Sequence, residues 1–217
     1  MTYLEVVNTI MVRLGNRPVL KPRIETELKY AKEFVMEKDP GLKPWFLLTD
    51  ALQTVAMVTD QPFVNLPTNF LAEYEDGFAW LTDEVTEIHK DTYNIRVARE
   101  RSSGADGETG TIPGGAFPTH YSIVGKRMYL FPTPNADSTN VKLRYYASTL
   151  DLRDDATNIW LTEGADWLIN EAGARVAQDI QSHDQWKVFQ ASAIRSRQRI
   201  LAETEERAAA NHDGIPE

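Results

Sequence analysis

The chain has 217 residues, a formal net charge of −9 and no cysteine. That length supports one good core or two small ones, and the missing thiols exclude disulfides, thiolate metal sites and cysteine nucleophiles. No apolar run approaches the roughly 18 residues a membrane-spanning helix needs, and the acidic balance argues against a surface built to wrap nucleic acid.

The opening Met1–Glu5 lacks the basic start and apolar block of a secretory signal, so synthesis in a reducing cytosol is expected. Thr2 with Glu5 three residues on predicts a capping box, and Leu4, Val7, Met11 and Leu14 predict a one-sided apolar stripe ended by Gly15. After Pro18 and Pro22, the stripe Ile24, Leu28, Ala31 and Val35 predicts a second helix, broken at Asp39-Pro40-Gly41. The two form a helical hairpin.

From Pro44 to about Leu150 the signal turns to short alternating runs separated by Pro, Gly and Asn. The clearest is Tyr121–Pro134, whose Gly125-Lys126 turn predicts an antiparallel meander continued by Val141–Tyr146. Within Glu84–Arg101 the alternation of Tyr93, Ile95 and Val97 favours a strand in the second half. Ser102–Gly115 holds five glycines and reads as a mobile loop.

Beyond Trp160-Leu161, Thr162 is expected to cap a helix with Ile169, Ala172, Gly173, Val176 and Ile180 on one face. Ser182 and Gln185 form a second capping box, opening a longer helix that carries Trp186, Phe189, Ala193 and Ile200. The expected fold is therefore α+β. Helices of 1–43 and 160–209 form roughly a four-helix bundle, an antiparallel β region fills 44–159 with its mobile loop at 102–115, and 210–217 is a flexible tail.

The chain is poor in signals of chemistry. Ser102–Gly110 lacks the Lys-Ser/Thr pair of a phosphate-binding loop, and Glu87, His89 and Asp91 share a face only on a strand, with no second cluster to close a metal site. Asp151–Asp155 reads as a capped turn, and no nucleophile elbow is present. No catalytic residue, cofactor or metal is expected. The final helix carries Arg195, Arg197 and Arg199 ahead of Glu203, Glu205 and Glu206, a pattern that suits i, i+4 pairs such as Arg199 with Glu203 and equally suits docking on a charged partner. The interface candidates are Arg195, Arg197 and Arg199, with Asn211 and Ile215 of the tail.

Several segments taken in order resemble one family. They are Thr2–Asn8 with Leu14-Gly15 and Pro18-Val19, then Pro44-Trp45-Phe46 and Leu66–Leu71, then Leu130–Pro134, Leu143–Tyr146 and Trp160-Leu161. Together they are similar to the head-to-tail adaptors of short-tailed bacteriophages, the group typified by tail tubular protein A. The stretch Glu84–Gly115 departs from that pattern by being longer and more charged. The resemblance implies a structural virion protein of the neck, made in the host cytoplasm. It implies a ring, commonly of twelve copies, beneath the portal protein, with the tail nozzle attached below and DNA passing through the centre. The free protein is expected to be mostly monomeric at low concentration, because contacts between like-charged subunits should be weak, and to show no membrane or specific DNA binding. A tail-completion or stopper protein at another level of the neck is the alternative, and a cell-wall hydrolase with carboxylates converging only in the fold is the reading from a different class.

Overall fold

The structure, a computed structural model, describes residues 1–37, 43–74, 78–81, 86–94, 117–134, 140–149, 151–153 and 158–212. The fold is α+β, and the chain divides into a helical unit, Met1–Leu47 with Ser148–Glu217, and a β unit, Leu48–Ala147.

The helical unit begins with α1, Tyr3–Arg13, whose cap is the expected box: Thr2 Oγ1 accepts from the Glu5 N–H at 3.2 Å and Glu5 Oε2 accepts from the Thr2 N–H at 2.7 Å. Two orphan donors are satisfied reciprocally, and the bond from Thr2 holds the Glu5 carboxyl below its ordinary pKa. The chain leaves α1 through Gly15 at φ +85°. The buried stripe differs from the expected one. Val6, Val7, Ile10 and Leu14 are buried, whereas Leu4 is 55% exposed.

Helix α2, Lys21–Glu37, buries Ile24, Leu28 and Ala31 as its periodicity requires. The break at Asp39-Pro40-Gly41 lies outside the described residues. A single turn, α3 (Ile159–Thr162), is capped by Asn158, whose Oδ1 accepts from the Trp160 N–H at 3.1 Å. Thr162 closes this turn instead of capping the next helix: its hydroxyl donates back to the Ile159 carbonyl, and Gly164 is the N-cap of α4, Ala165–Asp179. Helix α4 is the centre of the unit, with α1, α2, α3 and the long α5 (His183–His212) all packed on it. Its burial of Leu168, Ala172, Gly173, Val176 and Ala177 follows from that position. At the start of α5, the Ser182 hydroxyl donates to Gln185 Oε1 at 2.8 Å.

The β unit holds nine strands among the described residues, and three sheets. Strands β2 (Phe63–Asn65), β7 (Arg127–Phe131), β6 (His120–Val124) and β5 (His89–Lys90) form one, in that order. The β6–β7 hairpin turns at Gly125, φ +64°, as predicted from Gly-Lys. The meander stops there. Strand β8, Asn140–Leu143, pairs with β1 (Gln53–Ala56) and β4 (Ala79–Leu81) in a second sheet, and β9, Tyr145–Ala147, pairs with β3 (Phe70–Glu73) in a third. One pairing, β5 with β6, is parallel, so the region is not wholly antiparallel. The strand expected from Tyr93 does not start there, because Tyr93 and Asn94 have helical backbone, while residues 95–101 and the loop 102–115 lie outside the described residues. Met128, Leu130, Val141 and Leu143 alternate inward and are fully buried at the centre of this unit's core.

Candidate partner interface

The last helix carries most of the predicted contact residues. Along α5, Phe189, Ala193 and Ile200 are buried and Trp186 is half-buried, which turns the opposite face outward. Arg195, Arg197 and Arg199 are all exposed. Arg199 reaches Asp166 of α4 at 3.4 Å and Glu203 at 3.7 Å, the second being the i, i+4 pair read from the sequence. Such exposed pairs are worth a few tenths of a kcal/mol each, so they orient the guanidinium more than they stabilise the helix. Asn211 falls in the last turn of α5, and Ile215 lies outside the described residues. Val188, 68% exposed, and Ile194, 53% exposed, put aliphatic surface among these cations, the mixture that interfaces favour.

Two further features escaped the sequence. The first is an anchor on the far half of α5. The Trp45 N–H donates to Thr204 Oγ1 at 3.2 Å, its indole Nε1–H donates to Glu203 Oε2 at 3.3 Å, and the Arg207 guanidinium lies 3.4 Å from the centroid of the same ring. Phe46 beside it meets Trp160 edge to face, 5.0 Å between centroids. Tryptophan and arginine in contact signal an anchor, yet Trp45 and Arg207 are 162 positions apart, so spacing could not reveal it.

The second is a polar cleft of about 510 Å³ whose lining includes Tyr3, Glu25, Lys32, Thr149 and Arg153. Lys32, only 7% exposed, occupies the position after Ala31 on the inner side of α2 and donates to the Thr149 carbonyl at 2.9 Å. Burial lowers its pKa, against the opposing pull of Asp151 and Glu33. Arg153 bonds Glu25 at 2.8 Å and the Tyr3 hydroxyl at 3.2 Å, and its own N–H is held by Asp151 Oδ1 at 3.0 Å, the capped turn expected there. Arg153 is paired with Glu25 and Lys29 with Glu33, while Lys32 and Asp151 are held by backbone groups. The cleft braces the segment after the β unit against α1 and α2.

Glu87 and His89 are exposed, and among the described residues no group of three His, Asp or Glu is placed to hold a metal ion. Among them, too, no helix is long and apolar enough to cross a membrane.

No curated protein matches the chain closely enough for comparison. A family model does: the one described as SU10 adaptor protein matches residues 1–213, agreeing with the order of segments that resembled phage adaptors. On that extent of match the chain belongs to the SU10 adaptor protein family and is a bacteriophage head-to-tail adaptor.

Proposed function

We propose that the protein is one copy of a ring, twelve in the assembled virion, that joins the portal protein to the tail nozzle and encloses the DNA channel of the neck. The family match over residues 1–213 carries this reading. The physics supports it. Four long helices used as a bundle would give each copy a stiff body with lateral surfaces, while an open sheet-bearing unit gives a second surface for the next component. A net charge of −9 lets DNA pass without the counterion release that produces sticking. Arg195, Arg197 and Arg199 with the exposed Val188 and Ile194 are the proposed contact surface on α5, and the end of the chain, with Asn211 in the last turn of α5 and Ile215 after it, is proposed to engage the portal. The work is done by shape and contact, without catalysis.

Crosslinking within mature virions tests the placement. Crosslinks from this chain to both portal and nozzle are expected. Crosslinks to tail protein alone would move the protein to the stopper level.

A further inference from the structure

The connection between α1 and α2, taken with the helix ends that flank it, differs in charge from the rest of the chain. Residues 6–24 hold Arg13, Arg17, Lys21 and Arg23 and no acid; without those four, a chain of net charge −9 carries −13 on its other 198 residues. Arg13 is engaged by Asn170 at 3.2 Å and Arg23 by Glu27 and Asp179. Arg17 and Lys21 are exposed and enter no ion pair among the described residues.

The same connection is apolar at its tip and stiff. Val19 is 82% exposed and Val12 62%. Gly15 and Asn16 take positive φ of 85° and 53°, Pro18 and Pro22 fix two more φ angles, and the Asn16 N–H bonds the Met11 carbonyl at 2.9 Å. A projection already held in one conformation binds with little ordering entropy, and a bare aliphatic tip beside unpaired cations suits an acidic protein surface better than a phosphate backbone.

This protein has such a surface. Glu205 and Glu206 are exposed near the far end of α5, while the Gln185 side chain at its near end donates to the Arg13 carbonyl at 3.0 Å, fixing that end beside the projection. Twenty residues of helix set the two about 30 Å apart, so one molecule cannot bring Arg17 and Lys21 to its own Glu205 and Glu206. Two copies can, and a contact between unlike patches propagates from copy to copy.

We propose that the projection Gly15–Lys21, through Val19, Arg17 and Lys21, docks on the Glu205–Glu206 end of α5 in a second copy. The proposal rests on the assembly reading above and supplies it with a head-to-tail contact.

Sedimentation of the full chain tests it, using wild type, an R17E/K21E variant and an E205K/E206K variant, each checked for folding by circular dichroism. At low salt and high protein concentration the wild type should self-associate and added salt should weaken this. Each variant alone should lose about ten-fold or more in association constant, and mixing the two should restore it, since each then offers the other a patch of opposite sign. Val19→Ser, which removes the aliphatic tip without adding charge, should weaken association without changing its salt dependence. A wild type that stays monomeric, a variant that associates like wild type, or a mixture without recovery would each overturn the proposal. So would binding of a duplex DNA fragment that R17E/K21E abolishes while E205K/E206K self-associates normally. Portal decoration by the same variants, seen by electron microscopy, separates the loss of this contact from failure of the adaptor reading.

Discussion

Gly173 of α4 lies directly against the ring of Phe189 of α5: a Cβ at position 173 would stand 2.5 Å from Phe189 Cε1 and 2.6 Å from Cδ1. The two helices approach there because position 173 has no side chain. Phe189 is 3% exposed, so its ring is enclosed by neighbouring groups and not free to swing into solvent. Gly173→Ala should therefore destabilise the helical unit by about 1–3 kcal/mol, even though alanine favours helix, because overpacking outweighs propensity. Chemical denaturation checks this; a stabilised variant would show that the ring shifts at little cost.

Tyr121 gives the β unit an alkaline limit. Burial first, then the neighbouring Glu73 carboxylate, raises its pKa well above the ordinary 10.0. The folded state keeps the proton that the unfolded state releases, so its contribution is fully present below pH 10 and is lost as pH rises beyond it. Tyr121→Phe should flatten the fall in stability above that pH, measured as the denaturant midpoint across the alkaline range.

The Trp45 anchor should hold the far half of α5. Arg207→Ala removes a cation over the indole and should weaken that end by about 0.5–1 kcal/mol. Hydrogen exchange at Glu203–Arg207 should quicken, and the tryptophan emission should shift, while exchange around Phe189 stays unchanged.

At the other end of the unit, Thr2→Ala breaks a reciprocal cap and should cost about 1 kcal/mol. Thr2→Ser, which keeps the oxygen, should restore most of it. Thermal unfolding of the pair separates the lost hydrogen bond from a lost methyl group.

Features that depend on near neighbours were legible in the sequence. The Thr2–Glu5 box, the turn at Gly125, the Asp151 turn and the Arg199–Glu203 pair are each set within four residues, and the fold shows all four. The phase of α1 was not legible. Leu4, Val6, Val7, Ile10, Met11 and Val12 cover most of its circumference, so packing on α4, not periodicity, decides that Val6 and Ile10 go inside while Leu4 stays out. Strand partnership failed for a related reason. The composition of β8 identifies a strand, but its pairing with β1 and β4 instead of β7 is settled by long-range contacts. Of the interface, the arginines of α5 were readable as a charge pattern, whereas the anchor of Trp45 on Glu203, Thr204 and Arg207 joins residues about 160 positions apart.

This chain is proposed to act by fitting between its neighbours in the phage neck. Electron microscopy of the purified protein mixed with its cognate portal is the decisive measurement. A closed ring of added density on the tail-facing side of the portal, following the portal's symmetry, is expected. A portal that remains bare at saturating protein would rule out that role.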